Sequence, residues 1–182
     1  MSIQKNKNKN KSADCVVAED HIYFPKGYCF KYGFLKNKKK LPFSIIDEIR
    51  TNTFPVTAKI NTNEIIFLQG LDEKKCIEIK EKSNISLTTP VDNWSLLCDE
   101  FLDTECSNEQ QEDVIQLLME NGINRDEVNG IRKRISSRML ILTFFSWEWM
   151  YYGQFDVLKQ LWPLNQKKYW WTMEIALRSK KD

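Results

Sequence analysis

Apolar residues recur along this chain at two different periods, and the change from one to the other falls near residue 88. Before it, the apolar runs are short, aromatic or β-branched, and punctuated by turn formers, the signature of strands. Residues 22–24 and 28–34 read as two strands about a Pro25-Lys26-Gly27 turn, and Lys36 to Lys40 as a second polar turn ahead of Leu41. Ile45, Ile46 and Ile49 read as a further strand or a short helical turn, broken by Phe54-Pro55. Residues 56–60 and 64–68 flank Asn61-Thr62-Asn63, a hairpin loop because asparagine tolerates positive φ. The run Ile65-Ile66-Phe67-Leu68 is apolar on both faces, which predicts a central strand. Together these segments predict an antiparallel sheet of about four to six strands. Asp72 then caps a helix over 73–82, whose narrow stripe of Cys76, Ile77 and Ile79 closes over the sheet.

Beyond residue 88 the spacing becomes helical. Thr89 as N-cap, Pro90 at the first helical position and Asp92 at the third predict a helix that buries Trp94, Leu97, Cys98, Phe101 and Leu102. Ser107 and Gln110 form a capping box for a second helix, which buries Val114, Leu117 and Leu118 and stops at Asn121-Gly122. Asn124 with Glu127 starts a third, with Val128, Ile131, Ile135, Met139 and Leu142 at steps of three and four, running to about residue 152. Phe155, Val157, Leu158 and Leu161 mark a short fourth element limited by Pro163, and a last helix over 166–178 carries Tyr169, Trp170, Met173 and Leu177. The predicted fold class is therefore α+β, a small antiparallel sheet or sandwich layer with one helix followed by a helical bundle. Its predicted parts are a disordered basic tail (1–19), a β-rich domain (20–88) and a helical, Trp-rich domain (89–182).

Composition adds a core and a compartment. The 182 residues are 42% hydrophobic, 12% aromatic and 29% charged, which suits a globular chain. The net charge of +2 hides a segregation into basic, acidic and basic blocks: net +7 over residues 1–40, −11 over 41–130 and +6 over 131–182. Opposed blocks either face one another, stay solvated, or present a basic surface to an anionic partner. The five cysteines are odd in number and none forms a CxxC pair, which argues against a disulfide framework or a zinc knuckle and for a reducing compartment. Residues 1–13 alternate Lys, Asn and Ser without an apolar core segment, so they do not read as a signal peptide. The longest apolar stretch, residues 139–145, is interrupted by Thr143 and too short to span a bilayer. The expectation is a cytoplasmic protein outside the membrane.

Candidate chemistry is sparse. His21 is the only histidine, which removes most imidazole-based acid–base and metal schemes. No GxGxxG, GxxxxGK[ST], GxSxG or HExxH pattern occurs, so no metal site or cofactor is expected. The carboxylates Asp99, Glu100, Asp103 and Glu105, joined by Glu148 from the later helix, are the candidates for acid–base or metal chemistry; the competing role is to pair with Arg132, Arg134 or Arg138 across helices. Rings concentrate in residues 144–171. There Trp147, Trp149, Tyr151, Tyr152, Trp170 and Trp171 form either core or an exposed aromatic patch, with Arg132, Arg134 and Arg138 as a candidate basic face.

The segments WSLLCDEFLDTE (residues 94–105) and WEWMYYGQFDVL (147–158), separated by a helix, a Gly turn and an IRKRI segment, resemble an uncharacterised group of bacterial proteins. The helical domain of that group carries a WxxLxxxFLDTE start and a WEW…G…DxL end. The resemblance implies no activity, only that Asp103, Thr104, Glu105, Glu148, Trp149 and Asp156 belong to one locus. Three functional expectations follow. The first is a non-enzymatic bacterial adaptor or immunity-type protein that binds an unknown protein partner. The second is a carboxylate-based enzyme. The third is a nucleic-acid-binding protein that uses residues 5–11, 36–40 and 132–138.

Overall fold

The computed structural model describes residues 15–102, 107–145 and 151–180. Its β half holds two sheets. Strands β1 (Val16–Val17), β2 (His21–Tyr23) and β3 (Lys40–Pro42) form a three-stranded antiparallel sheet in that order. Strands β4 (Ile46–Arg50), β5 (Thr57–Ile60), β6 (Glu64–Phe67) and β7 (Ser86–Thr88) form the second sheet, in the order β6-β5-β4-β7. Helix α1 (Glu73–Ser83) leads into β7, which lies parallel to β4; the other pairs are antiparallel. The helical half comprises α2 (Asn93–Cys98), running into a 3-10 turn over Asp99–Phe101, then α3 (Asn108–Glu120), α4 (Arg125–Phe145), α5 (Gln154–Gln160) and α6 (Gln166–Ala176). The fold is α+β, strands first and helices after, as the change of period indicates. No described helix is long and apolar enough to cross a membrane.

Local signals set most boundaries. Asn63 takes φ +55° in the β5–β6 hairpin, Asp72 accepts from the Lys75 amide at 2.9 Å, and Ser107 and Gln110 cap α3 reciprocally. Other expectations are corrected. The α2 N-cap is Asp92, not Thr89: its Oδ1 accepts from the Trp94 and Ser95 amides, which leaves Pro90 outside the helix. On α3, Ile115 and Leu118 are buried while Leu117 is 41% exposed, so the buried stripe is rotated from the one expected. Cys15 is buried and Val16–Val17 pair with β2, although the sequence assigns both to the tail. Tyr151 and Tyr152 are not helical; residues 146–150, over which α4 was expected to continue, lie outside the described residues.

The run Ile65-Ile66-Phe67-Leu68 is apolar on both faces for a reason other than a central position. Strand β6 is an edge of its sheet, but the sheet is sandwiched between two cores. Ile66 and Leu68 face a core built with Ile22, Leu41, Ile49, Ile60 and Ile79, whereas Ile65 and Phe67 face the helical core around Trp94, Tyr152 and Tyr169. The alternation of side chains along a strand delivers these residues to opposite layers. An edge strand exposes a row of unpaired amides, and here side chains cover them. The Ile65 amide lies 3.4 Å from the Met173 sulfur on α6, and the Phe67 amide donates to the Tyr28 hydroxyl at 3.1 Å.

That cover explains why residues 28–34 are an irregular loop and not the strand their composition predicts. The loop sends its rings inward. Phe30 packs at 5.6 Å from Phe67 and 5.9 Å from Phe155, while the Tyr32 hydroxyl donates to the Leu164 carbonyl at 2.9 Å. Its end is fixed by Glu64, which is only 1% exposed. One carboxylate oxygen accepts from the Phe34 amide at 2.8 Å and the other from the Tyr169 hydroxyl at 2.6 Å. Gly33, at φ +75°, is required beside it: a Cβ there would stand 1.8 Å from Glu64 Oε1.

Burial raises the Glu64 carboxyl above its ordinary 4.5, and the donors Tyr169 and Phe34 oppose the rise. The folded protein therefore holds this proton more tightly than the unfolded chain does, and this group's contribution to stability falls as pH rises from 4.5 through the raised value. Loss of the Tyr169 donor raises that value further. Tyr169→Phe is accordingly expected to cost about 1.5–3 kcal/mol at neutral pH, measured by urea denaturation. The cost is expected to shrink below about pH 4, where the carboxyl is protonated; an equal cost at both pH values would contradict the assignment.

Candidate functional site

Four segments meet around Phe54: the β4–β5 connection (residues 50–57), residues 68–71 after β6, residues 90–92 before α2, and residues 151–159 leading into α5. The connection is held from several sides. The Thr51 amide donates to the Thr88 carbonyl at 3.0 Å, Asn52 Nδ2 to the Pro90 carbonyl at 2.6 Å and the Thr53 hydroxyl to the Arg50 carbonyl at 3.2 Å. Pro55 is buried, yet the Phe54 ring is 71% exposed. A ring left in water by a well-anchored turn is an apolar surface without an internal role.

Two hollows flank that turn. The smaller, about 20 Å³, is walled by Arg50, Thr53, Asp92, Tyr151 and Gln154 and has room for a single water molecule. The larger, about 270 Å³, is lined mainly by Phe54, Pro55, Val56, Leu68, Leu71 and Phe155, with Asp156 and Lys159 at its edge. Asp156 is committed locally. Its Oδ2 accepts from the Gly153 amide at 3.1 Å, and burial raises its carboxyl above the ordinary value. The Lys159 ammonium sits 4.3 Å from the Phe155 ring centroid. Asp92 carries two tasks: Oδ1 caps α2 and Oδ2 accepts from the Tyr151 hydroxyl. Burial, then the Asp92 charge, pushes the Tyr151 phenol far above its usual range, so it serves as a neutral donor.

The sequence-named groups are placed as follows. Asp103, Glu105, Glu148, Trp147 and Trp149 lie outside the described residues. Asp99 is half-buried in the 3-10 turn, and its neighbour Glu100 pairs with Arg132 at 3.2 Å, the cross-helix pairing expected of this cluster. Burial raises the Glu100 carboxyl and the Arg132 charge opposes the rise. Among the described residues no three His, Cys, Asp or Glu side chains gather closely enough to hold a metal ion.

Of the described members of the candidate aromatic patch, Tyr152 is core while Tyr151, Trp170 and Trp171 are half-buried. Tyr152 is 1% exposed, Trp171 is packed edge-on against buried Trp94 at 5.5 Å, and Trp170 is packed edge-on against Tyr169. Of the candidate basic face, Arg134 is exposed, Arg138 is half-exposed and only Arg132 is buried. Arg132 donates to the Leu96 and Leu97 carbonyls, Arg134 lies 4.0 Å over the Trp171 ring, and Arg138 donates to the Gln160 carbonyl at 2.8 Å.

Sequence reading missed the two most exposed rings among the described residues, Phe54 and Trp162 at 71% and 74%. Phe54 figures in the sequence reading only beside the Pro55 break, and Trp162 only as one of the rings concentrated in residues 144–171. The available signal was a lone ring in a stretch of turn formers: Thr51-Asn52-Thr53 before Phe54, and Pro163 and Asn165 after Trp162. Comparisons with protein-family models, with curated proteins and with solved structures gave no match to this chain.

The contrast between Arg132 and Arg134 is testable. Arg132→Leu leaves Glu100 and two carbonyls without their donor and is expected to cost about 2–4 kcal/mol in chemical denaturation. Arg134→Leu loses only an exposed cation–ring contact, worth less than about 1 kcal/mol. Equal costs would mean that Arg132 does not hold α2 to α4.

Proposed function

We propose that this chain is a non-enzymatic bacterial binding protein, of adaptor or immunity type, which engages a protein partner through the surface around Phe54. One observation carries the reading: an anchored turn holds a phenyl ring 71% exposed beside an apolar hollow of about 270 Å³. Interface energy concentrates in a few rigid aromatic anchors set beside pockets, surrounded by contacts that exclude water. The Phe54 turn supplies both parts. Its backbone is fixed by the hydrogen bonds from Thr51, Asn52 and Thr53, so little conformational freedom remains to be lost on association.

A photo-crosslinking phenylalanine analogue in place of Phe54, expressed in the native cells, tests the reading. A discrete adduct with a second protein is expected at position 54. None is expected from the same analogue replacing Ile77, an exposed apolar residue on α1 that lines neither hollow. Equal labelling from both positions, or none from position 54, would overturn the proposal.

A further inference from the structure

The turn after α5 gathers positive charge around the second exposed ring. Trp162, 74% exposed, follows Lys159 by three residues. The ammonium of Lys168 donates to the Pro163 carbonyl at 2.8 Å and the Leu161 carbonyl at 3.3 Å, and the guanidinium of Arg138 donates to the Gln160 carbonyl at 2.8 Å. Two cationic heads therefore sit within hydrogen-bond distance of the turn that carries Trp162, with Lys159 on the turn's own helix. Among the described residues none of the three makes a salt bridge, although Lys159 lies near enough to Asp156, on the same hollow, for its charge to favour the ionised carboxylate. The carbonyls of a helix end attract such cations, and of the three Lys159 is exposed while Arg138 and Lys168 are half-exposed. Lys159 also forms part of the wall of the apolar hollow, so hollow and cationic collar are continuous.

Resting on the binding role proposed above, we infer that the partner segment carries a large apolar side chain flanked by Asp or Glu. The apolar group enters the hollow between Phe54 and Phe155, and the flanking carboxylates meet Lys159, Lys168 and Arg138 around Trp162. An acidic protein segment fits better than single-stranded nucleic acid. A strand of bases calls for successive rings to stack on, whereas here one exposed ring stands at the collar and the adjoining feature is an apolar hollow. Charge complementarity at the rim sets the choice of partner and the rate of encounter, while the buried anchor sets the lifetime of the complex.

Selection of a random twelve-residue peptide display library against the full chain tests the inference. Enriched peptides are expected to place Asp or Glu beside a Leu, Phe or Trp. Binding of a synthetic copy of the most enriched peptide is expected to weaken about tenfold with Lys159→Glu, and more steeply with added salt than the weakening caused by Phe54→Ala. Lys159 bonds to no backbone carbonyl of the turn, and an unchanged melting temperature of the variant separates lost binding from lost fold. Enrichment without acidic residues, no enrichment, or binding indifferent to Lys159→Glu overturns the inference. So does tighter binding of a twenty-residue oligothymidylate that is lost in the same variant, which would assign the collar to nucleic acid. Adducts at position 54 together with peptides lacking acidic residues would leave the binding role standing and remove only the acidic partner; failure of both would remove both.

Discussion

A single carboxylate, Glu64, holds together pieces that are distant in sequence. It lies at the start of an edge strand, yet it accepts hydrogen bonds from a loop thirty residues before it and from a helix more than a hundred residues after it. A buried anion is costly unless donors surround it, so the arrangement tolerates little drift. The aromatic loop must close over β6 for the Phe34 amide to reach, and α6 must lie against the same edge for the Tyr169 hydroxyl to reach. That geometry also covers the free amides of β6, brings Phe30, Phe67 and Phe155 into one cluster, and seats α5 where its residues can wall the hollow beside Phe54.

The period of the apolar pattern gave the fold class, the strand-to-helix change and most helix boundaries, because those depend on local spacing and on capping chemistry that acts within a few residues. Ser107 with Gln110, Asn124 with Glu127, and Asp72 were legible for that reason. What escaped depends on long-range partners. Residues 28–34 have strand composition, but their rings find a better place inside the helical core than in a ladder. The β6 run reads as central because both its faces are apolar, whereas its cover comes from two layers and a clasp that no local window contains. Asp92 outcompeted Thr89 as a cap, and it is also the acceptor for Tyr151, 59 residues along the chain.

The candidate surface was less legible than the fold. Rings are dense in residues 144–171, but a ring's place in the sequence does not reveal which side of a packed helix it takes. Tyr152 went inside, and Trp171 was packed between buried Trp94 and the Arg134 guanidinium. Among the described residues the most exposed rings, Phe54 and Trp162, lie in turns that hydrogen bonds hold. The basic block at residues 131–182 was visible as a charge count. Its division into inward groups such as Arg132 and outward ones such as Lys159 required the coordinates.

The Glu64 clasp couples the loop, the edge of the sheet and the last helix into one unit. Amide hydrogen exchange on the native protein tests it most directly. The amides of Phe34, Ile65, Phe67 and Met173 are expected to open with one common free energy, and Tyr169→Phe is expected to lower all of them by the same amount. Rapid exchange at Phe34 alone, with Ile65, Phe67 and Met173 still protected after the substitution, would contradict the account.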